Sequence, residues 1–243
     1  REMIAISYDL DNERNTYESL VYEYLSNWIV DNARKENEKD QGMSSRLLSA
    51  FFSSPWAFSQ ELERAKRLGA IIDDEMSKCT TRWVRFENTI LETIVEIIED
   101  PDKYKDYYST RLMTVLSALY EDYYDQKVVL FTNYGKTFQA YKKVLEKLFS
   151  KDYVSYFGEG LGKDELEVNA YRFQNEETCR VMLCDYTGGE GRNFQCADYV
   201  LHIDLPWDAN AIEQRIGRLD RLERDQARPV VHSVVIYAKE TFE

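Results

Sequence analysis

Histidine is nearly missing from this 243-residue sequence, which holds two, His202 and His232. The four cysteines (Cys79, Cys179, Cys184 and Cys196) form no CxxC pair and have no histidine at metal-ligand spacing. This argues against a structural zinc and leaves no metal site to assign. Three of them fall in or beside apolar, strand-like segments, where a thiol behaves as a small hydrophobe, so a reducing, cytoplasmic compartment is expected. No apolar run approaches the roughly 18 residues of a membrane span, which removes a membrane partner. A phosphate loop of the form GxxxxGK[ST] is also lacking. The segment GEGLGKD (158–164) has the wrong spacing and puts Asp164 where a magnesium-binding hydroxyl is required. No acidic magnesium motif follows a strand, so the chain alone cannot assemble a complete ATP-hydrolysing site. It begins at Arg1 without an initiator methionine and opens directly into IAISYDL, which reads as a fragment of a longer protein.

Glycine is scarce in the first half: eight of the ten glycines lie from Gly135 onward. Charge divides at nearly the same place. Residues 1–126 hold 15 basic and 25 acidic side chains, net −10, against 16 and 19, net −3, in 127–243. Excess acid argues against a simple nucleic-acid coat, since phosphate neutralisation needs surplus Lys and Arg. After the opening strand the first half has helical periodicity, in SLVYEYLSNWIVDNARK, SRLLSAFF, WAFSQELERAKRLG, VRFENTILETIVEIIED and TRLMTVLSALYEDYYD. The break at SSP (53–55) supplies Ser53 or Ser54 as a cap and Pro55 as a first-turn residue. ENEKDQG (36–42) reads as an exposed loop. Aromatics at helical spacing (Tyr17, Tyr22, Tyr24, Trp28) are either core or a base-stacking platform, and the spacing favours core.

The second half alternates strands (KVVLFTN, DYVSYF, CRVMLC, DYVLHID, HSVVIYA) with helices (GKTFQAYKKVLEKLF, DELEVNAYRFQN, DANAIEQRIGRLDRL). This order predicts an α/β fold, a parallel sheet with helices on both faces, preceded by a mostly helical segment. Ligands of such sheets gather at the carboxyl ends of strands, which directs attention to three segments. TNYGKT (132–137) is either a phosphate contact or an ordinary helix cap, and by itself favours the cap. DYTGGEGRNFQ (185–195) places three glycines within four positions, either to let the backbone approach an anion or as a flexible turn. In QRIGRLDR, Arg215, Arg218, Arg221 and Arg224 recur every three residues; Asp208, Glu213, Asp220, Glu223 and Asp225 could make this a solvated face. Gly217 counts against that, because a glycine inside a helix costs about 1 kcal/mol relative to alanine.

Taken together, VVLFTNY, CDYTGGEGRNFQCADYVLHIDLPWD and AIEQRIGRLDR resemble the second RecA-like lobe of Swi/Snf-type helicase-related ATPases, most of all their bacterial RapA-like branch. The resemblance covers about residues 127–237 and is similar in tone for IAISYDLDNERNTYESLVYEYL and SSPWAF, which look like that branch's interlobe helical segment. It implies two parts, a mostly helical interlobe segment at 1–126 and a second RecA-like helicase C-terminal lobe at 127–243. It also implies ATP and Mg2+ held mainly by an absent first lobe, with Arg218 and Arg221 reaching the γ-phosphate as catalytic arginine fingers. Glu190, Gly191 and Gln214 match ATP-binding positions. Thr132, Asn133, Gly188, Gly189 and Asn193 match segments that follow a nucleic-acid backbone, so the implied partners are the first lobe and duplex DNA. Two positions depart from the pattern: Asp185 replaces the usual Ser or Thr, and Glu223-Arg224 replaces the usual Gly-Gln. The function implied is an ATP-driven translocase or helicase lobe. The alternative is a non-catalytic module whose acidic helical half docks a polymerase or nuclease.

Overall fold

The computed structural model describes residues 1–10, 16–33, 38–189, 193–220 and 230–243. Six strands form one sheet: β1 (Glu2–Tyr8), β2 (Val128–Phe131), β3 (Val154–Phe157), β4 (Val181–Cys184), β5 (Tyr199–His202) and β6 (His232–Ala238). Every pairing is parallel, in the order β1-β6-β5-β2-β4-β3. Parallel strands need crossovers, and the crossover helices cover both faces. VVLF and VMLC are therefore apolar at every position, and all eight residues are buried.

The alternation of side chains sorts these strands into two cores. On one face lie Val128, Leu130, Val181, Leu183, Leu201, Val234 and Ile236; on the other lie Val129, Phe131, Met182, Cys184 and Val200. The first face is covered by α6 (Gly135–Leu148), through Phe138, Tyr141, Val144 and Leu145, and by the helices of the first half. The second is covered by α7 (Lys163–Asn175), through Ala170 and Phe173, and by α8 (Ala209–Ile216), through Ile212 and Ile216.

The helices of the first half are α1 (Thr16–Ala33), α2 (Glu38–Phe51), α3 (Pro55–Arg67), α4 (Asp74–Glu99) and α5 (Arg111–Ser117). Tyr17, Tyr22, Tyr24 and Trp28 pack against the first core, as helical spacing favours. Helix α3 starts on Ser54, whose hydroxyl accepts from the Ala57 N–H, and has Pro55 in its first turn. It ends where Gly69 takes φ +93 and the Gly69 and Ala70 N–H groups bond back to Lys66 and Ala65 carbonyls. The opening strand β1 pairs with β6 from Glu2↔His232 to Tyr8↔Ala238, so it completes the sheet of the second half. Arg111 adds a polar tie: its guanidinium donates to the Ile203 and Ile236 carbonyls and to Glu243.

Three boundaries differ from the periodicity. The segment read as a loop at 36–42 is helical from Glu38 onward. The last helix of the first half stops at Ser117 and passes into a π-helical turn, Ala118–Asp122. The arginine-bearing helix stops at Ile216: Gly217 is its C-cap, and Arg218 and Asp220 bond back to Arg215 and Ile216 in a following turn. Gly217 thus ends the helix and is not an interior glycine. A Cβ there would stand 3.0 Å from the Glu213 carbonyl oxygen. Among the described residues, no helix is long and apolar enough to cross a membrane.

Candidate functional site

Strands β2 and β5 are neighbours, yet the helix that follows β2 covers the first face and the helix that follows β5 covers the second. The two connections diverge and leave a crevice at the carboxyl edge, where doubly wound sheets bind ligands. Asp204, two residues beyond β5, occupies it and is fully buried. A buried carboxylate is tolerable only with donors around it. One oxygen, Oδ2, accepts from the hydroxyls of Thr132 and Ser53, the latter at 2.7 Å. The other, Oδ1, accepts from the Asn133 N–H at 2.9 Å and lies 3.4 Å from Arg215 Nη2.

Arg215 does not belong to a solvated stripe. It is buried, donates to the Asp204 carbonyl at 2.8 Å and to Asn133 Oδ1 at 2.8 Å, and lies over the Phe131 ring. Burial lowers its pKa and Asp204 opposes that shift. Its remaining partner is His202 Nδ1 at 3.2 Å. Because a guanidinium only donates, Nδ1 must accept, and the imidazole proton sits on Nε2, facing the Ser233 hydroxyl at 3.0 Å. Burial, reinforced by Arg215, lowers the His202 pKa to about 3, so the ring is neutral.

Asp185, directly after β4, is also fully buried. Its carboxylate accepts from the Glu159 N–H (2.7 Å), the Thr187 N–H (2.8 Å) and the Thr187 hydroxyl (2.6 Å). A Ser or Thr would supply a donor here; this chain supplies an acceptor that ties the loop after β3 to the start of the glycine segment. Gly158 makes room for it, since a Cβ would meet the Phe138 ring at 2.6 Å and Asp185 Oδ2 at 3.0 Å.

The expected site residues divide accordingly. Thr132, expected at a nucleic-acid backbone, is fully buried, its hydroxyl given to Asp204 and its N–H to the Cys184 carbonyl. Asn133 is half-buried and locked between Asp204 and Arg215. Gly188 and Gly189 close the 3-10 turn Tyr186–Gly189. Asn193 is half-buried and exchanges hydrogen bonds with Gln195 at 3.0 Å. Gln214 is exposed on α8, and Arg218 is half-buried just beyond it. The Phe194 N–H donates to the Arg218 carbonyl at 2.9 Å, joining the end of the glycine segment to the arginine turn. Glu190, Gly191 and Arg221 lie outside the described residues, as do Glu223 and Arg224. Glu213 and Asp220, two of the carboxylates that could neutralise the arginines, both hold Arg1.

The residues missed by pattern reading are Asp204, Ser53 and Thr137. The available signal was an aspartate just past a buried strand, in VLHIDLPWD, at the point where connections diverge.

Residues 111–223 match the model of the helicase conserved C-terminal domain. The chain is 30% identical over 189 residues to the RNA polymerase-associated protein RapA of Vibrio campbellii, spanning 77% of this chain and 19% of that protein. Over a shorter stretch of 71 residues, 29% of this chain and 7% of the relative, it is 44% identical to RapA of Proteus mirabilis. The chain therefore spans about a fifth or less of the curated relatives it matches. Among solved structures, the C-terminal part of the Fun30 ATPase domain aligns with TM-score 0.61 at 13% identity, over 99% of this chain and 86% of that one. The Sulfolobus solfataricus SWI2/SNF2 ATPase core in complex with dsDNA aligns with TM-score 0.52 at 19% identity, over 98% and 41%. At these identities the structures show a shared fold, and the family follows from the sequence matches. With its parallel sheet and its arginine turn joined to the glycine segment, the chain carries a helicase conserved C-terminal domain similar in sequence to part of the RapA proteins.

Proposed function

We propose that this chain is the second motor lobe of an ATP-driven nucleic-acid translocase, acting on duplex DNA. In this reading the first lobe of the same protein holds ATP and Mg2+, and lobe closure brings Arg218 and Arg221 to the γ-phosphate. Their planar, permanently charged guanidinium groups stabilise the charge of phosphoryl transfer. The observation that carries the reading is the fastening of α8 at the crevice. Arg215 is held by Asp204, Asn133 and His202, so the turn that follows Gly217 presents Arg218 from a fixed base. Preorganised charge of this kind needs no rearrangement during the reaction. At the sheet edge the buried carboxylates Asp204 and Asp185 each accept from several protein donors, so this reading leaves magnesium to the first lobe. Glu190, Gly191 and Gln214 would flank the nucleotide. Asn133, Gly188, Gly189 and Asn193 would follow the nucleic-acid backbone through amides, with little regard for base sequence.

In the protein carrying both lobes, Arg218→Ala should lower nucleic-acid-stimulated ATP turnover by about a thousandfold or more, leaving nucleic-acid affinity largely unchanged. Wild-type turnover in that variant would refute the assignment. Duplex DNA, single strands and RNA, compared as stimulators, identify the substrate, with duplex DNA expected to be strongest. The relatives are named RNA polymerase-associated proteins, and the net charge of −10 over residues 1–126 supports a second reading, in which the acidic helical half docks a polymerase. A full chain that binds polymerase but gives no ATP turnover alongside its first lobe would favour that reading.

A further inference from the structure

The SSP turn between α2 and α3 was singled out by its capping chemistry, yet the motor reading gives it no part. Its serines reach across to the crevice. Ser53 Oγ lies 2.7 Å from Asp204 Oδ2 and 2.7 Å from Thr137 Oγ1, and Ser54 Oγ lies 2.7 Å from the same Thr137 oxygen. Ser53, Ser54, Thr137 and Asp204 are all buried. One helical turn earlier, Ser49 lies beside Tyr134, whose pKa burial raises and Ser49 lowers. Residues 49–54 therefore touch the segment that follows β2 at two points and the carboxylate that follows β5 at a third.

The direction of every proton in this cluster can be worked out. A carboxylate paired with a guanidinium only accepts, so Ser53 must donate to Asp204. A hydroxyl has one proton, so toward Thr137 the Ser53 oxygen can only accept, and Thr137 donates to it. Thr137 has then used its own proton, and Ser54 must donate to Thr137. Ser54 in turn accepts from the Ala57 N–H at 3.1 Å, as the cap of α3. The result is a one-way chain from the amino end of α3 through Ser54, Thr137 and Ser53 to Asp204. Of the three hydroxyls in this chain, only that of Ser53 touches Asp204.

We propose that Ser53 is a positioning residue of the motor site, acting through Asp204 to hold Asn133 and Arg215 in register beneath the arginine turn. The helical half is then a working part of the site. The turnover consequence rests on the motor-lobe reading; the structural consequence does not.

The test compares Ser53→Ala with Ser54→Ala. Both remove a buried hydroxyl, and Ser54→Ala also removes a helix cap, so both lower thermal stability. Only Ser53→Ala should move the Asn133 backbone amide resonance of the chain and speed its hydrogen exchange, by about tenfold. In the two-lobe protein, Ser53→Ala should lower kcat for ATP by about tenfold with KM within about twofold of wild type, while Ser54→Ala leaves kcat near wild type. If Ser53→Ala does not fold, Thr137→Val, similar in shape, carries the comparison, with an Asn133 shift expected where Ser54→Ala gives none. An Asn133 amide unmoved in Ser53→Ala, or moved equally by both serine variants, would overturn the proposal. An Asn133 shift with unchanged kcat would overturn its link to the site. Absence of turnover in the wild-type two-lobe protein would sink the motor reading, and the amide measurement would still decide whether Ser53 positions the crevice.

Discussion

Two buried aspartates stand at the same sheet edge and do different work. Among the described residues, Asp185 accepts from neutral donors, all within the loops that follow β3 and β4. Asp204 gathers a serine from the helical half, the backbone and hydroxyl of the segment after β2, and a buried arginine from α8. The first fastens a loop; the second fastens the site to three distant parts of the chain. Charge makes the difference, since removing one partner of a buried ion pair leaves the other uncompensated, whereas a neutral donor that loses its acceptor costs less.

Exchanging each aspartate for its amide should produce the largest contrast. Asp204→Asn should destabilise by about 3–5 kcal/mol and lower Tm by roughly 10 °C, because Arg215 loses its counter-charge. Asp185→Asn should cost about 1–3 kcal/mol in the same thermal melts. Equal losses would show that the arginine adds nothing to the difference.

Acid sharpens the comparison next, because His202 stands only on the Asp204 side. Its folded pKa, lowered by burial to about 3, lies below the ordinary 6.5, so its stabilising contribution is complete above pH 6.5. That contribution is lost as pH falls toward 3. Denaturant unfolding from pH 7 to 4 should give a steeper decline for the wild type than for His202→Gln. Parallel curves would contradict a neutral buried ring.

Gly158→Ala probes the other side. The added methyl meets the buried Phe138 ring and Asp185, and overpacking of this kind costs about 1–3 kcal/mol, measurable as a shifted urea midpoint. Ser54→Ala, which removes the α3 cap, should be the smallest perturbation at about 1 kcal/mol in the same assay.

Much of the fold was legible because it depends on local pattern. VVLF and VMLC announce strands buried on both sides, Gly69 announces a helix end, and SSP announces a helix start. The place of β1 in the sheet was not legible, since its partner β6 lies more than 200 residues away in sequence. At the site, the three-residue arginine period hid two facts: Gly217 stops the helix before Arg218, and Arg215 turns inward. That the Thr132 hydroxyl goes to Asp204 was not legible either, because a sequence displays donor chemistry without showing which acceptor takes it. Asp185 looked like a defect for the converse reason; its partners are the Glu159 and Thr187 N–H groups and the Thr187 hydroxyl, two of them backbone groups that no residue letter records. Ser53 reaches Asp204 across 151 positions, a link that only the tertiary fold creates.

The proposed role of this lobe is to deliver an arginine to a nucleotide held elsewhere. Its most direct test is a structure of the two-lobe protein closed on Mg2+ and a transition-state analogue of ATP hydrolysis. The Arg218 guanidinium is expected within about 3 Å of the γ-phosphate mimic, with Arg215 still bound to Asp204. A closed complex in which Arg218 points away from the nucleotide, or in which the Asp204–Arg215 pair has opened, would contradict it.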